Sequence, residues 1–277
     1  MKIGITGGKG GTGKSTVATA LAFELAKNNT VLLVDADVDC PNDHLILAIK
    51  RNKVKDIKQV IPKFDFSKCK KCGKCGEVCK YNAVAAVKGN FPIFIESICN
   101  GCHACIIACP NNAIKKSEKI VGEIFEGSYK NIDLISAQIK PRYFGSAFVV
   151  GKEKEYAKNK EKDYDYVITD TAAGTHCNVL EALSDCEVVI AVTEPTPLGE
   201  HDLDLILKLL KILKKESKIV VNRSDIGDKN LIRNLVKKYK AKIIAEIPYS
   251  KRFIELYSEG KPMQNKNISK IIEEIKK

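Results

Sequence analysis

Gly8-Lys9-Gly10-Gly11-Thr12-Gly13-Lys14-Ser15 fits the pattern G-x-x-x-x-G-K-[ST] and follows directly on a short apolar run, Ile3 to Thr6. The glycines let successive backbone N–H groups turn inward around phosphate oxygens. A lysine at position 14 reaches the β/γ-phosphates, and a hydroxyl at Ser15 ligates Mg²⁺. The helix that follows presents its positive N-terminus to the same anion. The glycines also permit a second reading. Gly8, Gly10 and Gly13 spell G-x-G-x-x-G, and Asp35 lies twenty-two residues beyond Gly13, where a dinucleotide fold places its ribose carboxylate. Lys14 followed by Ser15 decides for the phosphate loop, because a pyrophosphate turn needs neither a lysine nor an Mg²⁺-binding hydroxyl. Asp35, Asp37 and Asp39 alternate beyond the end of a second apolar run, where α/β folds bind ligands. Such charges organise a cation or a water, or else cap the next helix.

Eight of the eleven cysteines fall between Cys69 and Cys109; Cys40, Cys177 and Cys186 lie outside. A disulfide framework belongs to short secreted chains, so metal is the better reading. Cys69, Cys72, Cys75 and Cys79 repeat the spacing of Cys99, Cys102, Cys105 and Cys109, each set being the bacterial-ferredoxin run of two-residue, two-residue and three-residue gaps. Zinc motifs pair two Cys-x2-Cys steps and leave the third and fourth members without a role. The rule that the fourth cysteine serves the other cluster assigns Cys69, Cys72, Cys75 and Cys109 to one 4Fe-4S cluster, and Cys99, Cys102, Cys105 and Cys79 to a second. Lys80 stands where proline usually follows the fourth cysteine, which adds a cation beside a ligand without threatening ligation. His103 sits between ligands that thiolates already fill. Cys177 and Cys186 read as small buried hydrophobes, with a minority role for His176 and Cys177 in relaying nucleotide state; His201 stays open.

These groups need a frame. Ile3 to Thr6, Val31 to Asp35, Tyr166 to Asp170, Val188 to Thr193, Lys218 to Asn222 and Lys242 to Ile247 are apolar on consecutive residues, the mark of strands buried on both faces of a parallel sheet. Helical spacing separates them, at Val17 to Leu25, Leu203 to Leu210 and Leu231 to Tyr239. The expected class is α/β: a doubly wound, mostly parallel sheet of the P-loop NTPase type, with an inserted bacterial-ferredoxin-like α+β domain. The expected division is 1–61 for the first part of the nucleotide core, 62–118 for the insertion and 119–277 for the second part. Within 120–163, Ile132, Leu134 and Phe148 to Val150 suggest strands, and the Lys/Glu run 152–162 a solvated helix face.

The 277 residues, 44% of them apolar, suffice for one large core plus a small module. The formal charge of +12 suggests nucleic acid, but the lysines are dispersed, there is no Trp to stack bases, and two cluster-bearing thiolate sets of about minus two each would reduce the excess. No nucleic-acid partner is expected. No apolar run reaches membrane-spanning length, and the first strand begins at once, so the expectation is a soluble cytoplasmic protein. Ile268, Ile271, Ile272 and Ile275 form a stripe on a basic terminal helix, read as core packing in preference to membrane contact.

Lys9-Gly10-Gly11-Thr12-Gly13-Lys14-Ser15-Thr16 resembles the deviant Walker A motif of the MinD/ParA/Mrp class of P-loop ATPases, and the chain as a whole resembles the members of that superfamily that carry an inserted two-cluster ferredoxin domain. The resemblance implies an ATPase that binds ATP/ADP and Mg²⁺, works slowly without a partner and forms a homodimer on ATP, with Lys9 reaching the partner's nucleotide. It implies Asp37 as the switch I carboxylate near Mg²⁺ and the attacking water, Asp170 holding an Mg²⁺-bound water, the Gly174 amide sensing the γ-phosphate, and Asn222 and Arg223 in the base-recognition segment. The favoured function couples nucleotide state to iron-sulfur electron transfer for a redox or metalloenzyme partner. Alternatives are an Mrp-type cluster carrier, whose relatives use an exposed Cys-x2-Cys pair at the dimer interface that this chain lacks outside its two ferredoxin-type runs, and a MinD-like positioning ATPase.

Overall fold

The structure is a computed structural model that describes residues 1–263 and 265–276, apart from the side chains of Ile254 and Tyr257. In chain order the elements begin with β1 (Lys2–Thr6), α1 (Lys14–Leu25), β2 (Val31–Ala36), α2 (Asp43–Ile46) and β3 (Asn52–Phe64). The cysteine segment contributes α3 (Lys74–Glu77), β4 (Val84–Ala85), β5 (Ile93–Phe94) and α4 (Ala104–Ile107). There follow β6 (Ile114–Tyr129), β7 (Ile132–Ile139), α5 (Ser146–Lys158), β8 (Tyr166–Thr171), α6 (Cys177–Leu183) and β9 (Val188–Thr193). The chain closes with α7 (Pro197–Ile212), β10 (Glu216–Asn222), α8 (Lys229–Tyr239), β11 (Lys242–Ile247), α9 (Lys251–Ser258) and α10 (Lys266–Ile275).

Two compact units emerge. The first comprises Met1–Val54, Ile124–Gln138 and Ala147–Lys277; the second comprises Lys55–Glu123 and Ile139–Ser146. The chain therefore changes unit inside β3, inside β6, near the end of β7 and at the start of α5.

In the first unit the strand order is β11-β10-β9-β1-β8-β2-β7. Every pair from β11 to β7 is parallel. The reason lies in side-chain alternation. On β9, Val188, Ile190 and Val192 point into one core cluster with α1 and α10, while Val189 and Ala191 point into the other with α6, α7 and α8. Both faces of the strand are thus dry, which is why the sequence runs apolar without a break. Ile268, Ile271 and Ile275 of α10 are buried in the first cluster, and α10 packs against α1 and β11, so the terminal apolar stripe faces core.

In the second unit, β3 pairs with the first half of β6, with Lys58 bridged to Glu118 at 2.9 Å. The cysteine segment lies between these strands in sequence and folds around the short antiparallel pair β4 and β5. Neither long strand was expected.

Two expectations for 120–163 need correction. Ile132 and Leu134 do lie on a strand, β7, but Phe148, Val149 and Val150 open the helix α5. Their β-branched run mimics a strand because the helix buries Val149 and Val150. The Lys/Glu run is not a wholly solvated face either. Glu153 is fully buried, its carboxylate facing only the Ala137 backbone N–H.

Burial, reinforced by the charge of Asp35, holds Glu153 well above the ordinary carboxylate value of 4.5. A carboxyl raised in the fold takes up its proton there before it does in the unfolded chain. Its stabilising contribution is complete below about 4.5 and is lost as pH rises toward the folded value. Glu153→Gln should therefore flatten the decline of stability with pH. Chemical denaturation at about pH 5 and about pH 8 should show the gap moving in the variant's favour by up to about 1.4 kcal/mol per pH unit; a gap independent of pH would contradict it.

Candidate functional site

The loop between β1 and α1 lies at the carboxyl end of a central strand. Its backbone requires glycine where φ is positive, at Gly11 (80°) and Gly13 (93°). A Cβ on Gly13 would meet the Asn222 Nδ2 at 2.3 Å, so the loop is closed against β10 as well as turned. Gly13 is the N-cap of α1 and brings no side-chain cap, which leaves the first N–H groups of that helix directed at the loop's interior. Lys14, only 7% exposed, donates from Nζ to the Lys9 carbonyl at 3.2 Å. Burial lowers its pKa, and the charges of Asp170 and Asp37 oppose that shift, so all three converge on one place.

A cavity of about 410 Å³ opens there. Gly10, Gly11, Gly13, Lys14, Ser15, Thr16, Asp37, Asn222 and Arg223 line it, which brings together most of the residues singled out in the sequence. The others stand at its back. Gly8 packs against Asp202, Thr12 is buried beneath the loop, and Asp170 is buried behind Lys14. Asn222 donates from Nδ2 to the Thr12 carbonyl at 2.8 Å, so its amide also braces the loop. The cavity's far end is walled by Ile46, Pro248, Tyr249, Phe253 and Met263, an apolar surface suited to a flat ring that the sequence reading missed. The available signal was Pro248-Tyr249 directly after β11, at the sheet edge that carries the loop.

Register sets the acidic side of the site. Asp35 on β2 and Asp170 on β8 are direct neighbours across a parallel pair. With Asp43, at the start of α2, they bring three carboxylate oxygens within 4.8 Å of one another, all buried. Asp35 accepts from the backbone N–H of Asn42 at 2.8 Å and of Asp43 at 3.0 Å. Among the described residues the Asp43 carboxylate has no hydrogen-bond partner, and the Asp170 carboxylate faces only the Ser15 hydroxyl. Burial first, then neighbouring charge, pushes Asp170 up to about 8 and Asp35 to about 7, although backbone donors counter the rise at Asp35. Asp37 is raised more mildly, mainly by burial. The buried Asp170 carboxylate beside the Ser15 hydroxyl, with Asp37 on the same cavity, is a hard-oxygen donor set that fits Mg²⁺.

Lys9 is engaged within its own chain. Its Nζ meets Glu194 Oε1 at 2.5 Å, while the other oxygen of Glu194 accepts from Arg223 Nη1 at 3.1 Å. Glu194, only 6% exposed at the end of β9, ties the loop lysine to the residue after β10. Gly174 adopts φ 94° and donates its N–H to the Gly7 carbonyl at 3.0 Å, which sets the turn after β8 against the loop. Cys177 at the start of α6 is exposed, contrary to its reading as a buried hydrophobe; Cys186 is buried as expected.

In the second unit the two cysteine runs fold alike. Positive φ recurs at matching places: Lys71 (56°) and Gly101 (74°), Gly73 (83°) and His103 (64°), Asn82 (53°) and Asn112 (49°). Each fourth cysteine accepts a backbone N–H on sulfur at 3.3 Å, Cys79 from Val84 and Cys109 from Ala113. The runs cross over. One cavity is walled by Cys69, Cys72, Cys75 and Cys109, the other by Cys99, Cys102, Cys105 and Cys79. Burial and the charges of Cys99, Cys79 and Cys102 push the Cys105 thiol up to about 11. Four sulfurs around each cavity are the donor set that a 4Fe-4S cubane takes.

The family model of the CobQ/CobB/MinD/ParA nucleotide binding domain matches residues 3–263. An uncharacterized protein of Methanocaldococcus jannaschii is 36% identical over 283 residues, covering 99% of this chain and 96% of its own. An uncharacterized ATP-binding protein of the same organism is 24% identical over 279 residues, covering 97% and 94%. Among solved structures, the cell division ATPase MinD of Pyrococcus furiosus superposes with a TM-score of 0.62 at 20% identity, over 100% of this chain and 98% of that one. The septum site-determining protein MinD of Pyrococcus horikoshii, complexed with Mg-ADP, gives 0.61 at 20% identity, over 100% and 96%. These two share the fold, and none of the four is described as an iron-sulfur protein. With the family model spanning nearly all of its length and the glycine loop, Lys14 and the paired strand-end carboxylates around one cavity, the chain belongs to the CobQ/CobB/MinD/ParA nucleotide-binding domain family.

Proposed function

We propose that this protein is an ATPase that couples its nucleotide state to a resident pair of 4Fe-4S clusters and serves a redox or metalloenzyme partner. The observation that carries the second half of this reading is the crossed grouping of the cysteines, three from one run and the fourth from the other around each cavity. Bound there, the clusters would supply one-electron transfer. Ligands Cys69, Cys72, Cys75 and Cys109 would hold one, and Cys99, Cys102, Cys105 and Cys79 the other. The paired N–H to sulfur contacts at Cys79 and Cys109 would stabilise negative charge on the ligands.

For the nucleotide, the N–H groups of the loop and of the first turn of α1 receive the phosphates, and Lys14 neutralises the β/γ end. Mg²⁺ would be held by Ser15, with Asp37 and Asp170 in reach of its waters, and would polarise the γ-phosphate. Asp37 orients the attacking water. The apolar end near Tyr249 and Phe253 takes the base beside Asn222 and Arg223. Lys9 must leave Glu194 before it can reach across a homodimer to the partner's phosphates. A lone chain is on this reading a slow enzyme, and dimerisation on ATP completes the site. The positioning alternative stays compatible with the fold, though Ile268, Ile271 and Ile275 of α10 are buried in the core.

The nucleotide half has a direct test. Lys14→Ala should abolish MgATP binding in calorimetry, whereas Lys9→Ala should bind normally yet lose ATP-dependent dimerisation and about a thousandfold in turnover. Mixing Lys9→Ala with Asp37→Ala chains should restore some hydrolysis, because one site of the mixed dimer keeps its own Asp37 and receives an intact Lys9. No recovery in mixed dimers detected by mass would place Lys9 in its own subunit's service.

The cluster half is tested by analysis of anaerobically prepared protein, which should carry about eight irons and eight sulfides per chain. Cys109→Ala should perturb the cluster held by Cys69, Cys72 and Cys75 in the electron paramagnetic resonance spectrum. Loss confined to the Cys99 site would refute the crossed ligation, and zinc without iron would refute the clusters.

A further inference from the structure

The two cysteine cavities differ in the charge around them. From residue 68 to 88 the chain places six lysines, Lys68, Lys70, Lys71, Lys74, Lys80 and Lys88, against one acid, Glu77. From 98 to 113, around the second run, it places no Lys, Arg, Asp or Glu at all. The asymmetry persists in space. Lys70, Lys71 and Lys74 line the Cys69-Cys72-Cys75-Cys109 cavity, while no charged residue lines the other. The turn that carries Lys88 joins the same rim: Gly89 donates its N–H to the Lys71 carbonyl at 2.9 Å, and the Lys88 backbone packs on Gly73.

Lys68 pairs with Asp65 at 3.8 Å, but the lysines on the cavity rim are not spent on the chain's own acids. Among the described residues, Lys70, Lys74 and Lys88 are exposed and make no ion pair, and Lys71 lies over the Phe91 ring at 4.4 Å. Phe91 meets Phe66 edge-on at 4.9 Å, and the two rings remain 45% and 49% exposed. An aromatic centre inside a charged rim is the composition of a protein docking site. The rim holds lysine and no arginine, point charges that steer an approaching surface without the fork geometry that grips phosphate.

Resting on the iron-sulfur reading above, we infer that this face, Lys70, Lys71, Lys74 and Lys88 around Phe66 and Phe91, is the docking surface for an acidic one-electron carrier protein. A carboxylate-rimmed carrier seated there brings its redox centre to the mouth of the Cys69-Cys72-Cys75-Cys109 cavity, so that this cavity is the port for electrons. Charge complementarity sets the encounter rate and the choice of partner, and the two rings supply the short-lived contact.

The test uses the complete protein and a fluorescently labelled acidic flavodoxin as probe, with anisotropy as the readout. Affinity should fall at least about tenfold between about 20 and about 300 mM salt, and by about tenfold in the Lys70→Glu, Lys74→Glu, Lys88→Glu triple variant. Phe91→Ala should weaken binding with little change in salt dependence. ATP hydrolysis and iron content should be unchanged in the triple variant, which excludes misfolding, and a basic cytochrome c should bind the variant better than the parent. Flavodoxin binding that ignores the charge reversals overturns the inference. So does preferential, lysine-dependent binding of a labelled short DNA duplex. Iron analysis of the same samples separates the two claims: iron present with no flavodoxin binding sinks the docking face alone, whereas flavodoxin binding through these lysines to a protein that takes up no iron sinks the cluster reading.

Discussion

Two carboxylates forced side by side in a dry place govern the nucleotide site. Asp35 and Asp170 end adjacent parallel strands in direct register, and Asp43 joins them from the next helix. Three such groups cannot all be charged in an unrelieved interior, since burial and mutual repulsion both favour the protonated forms. What surrounds them answers that constraint. Lys14 is drawn in from the front, the uncapped start of α1 adds positive potential, and backbone N–H groups satisfy Asp35. The remaining demand, at Asp170, faces the Ser15 side of the loop, where a hard cation and its nucleotide would complete the balance.

The cysteine unit solves a similar problem with sulfur. Burial, and then the charges of the neighbouring thiols, raise the Cys105 pKa, and the backbone is bent at matched positions that bring the thiols together. The chain enters this unit within β3, leaves it within β6 and returns to it for residues 139–146.

The frame and the chemistry of this chain could be read from sequence where one cause fixes one pattern. Consecutive apolar residues at Val188 to Thr193 and Lys242 to Ile247 match β9 and β11 end for end, because parallel strands covered on both faces leave little other choice. The phosphate loop and the repeated cysteine spacing were equally plain in the sequence. What escaped were features set by tertiary context. β3 carries lysines at positions 53, 55 and 58 and is largely exposed over its first half, so it shows neither the apolar run nor a clean alternation. Phe148 to Val150 read as strand until packing made them helix. The apolar end of the cavity draws Ile46, Tyr249, Phe253 and Met263 from distant segments, each unremarkable alone. Nothing near Lys9 in sequence announces its pairing with Glu194, nearly two hundred residues away.

The central claim is that the nucleotide bound at the loop alters the cysteine-held centres. Its most direct measurement is a redox titration of the anaerobic holoprotein, followed by electron paramagnetic resonance, with saturating MgADP and then with saturating MgATP in a hydrolysis-deficient Asp37→Ala background. The account predicts two low-potential 4Fe-4S signals, of which at least one changes midpoint potential or line shape between the two nucleotides. Signals identical in both nucleotide states, in protein shown by calorimetry to be loaded, would contradict it.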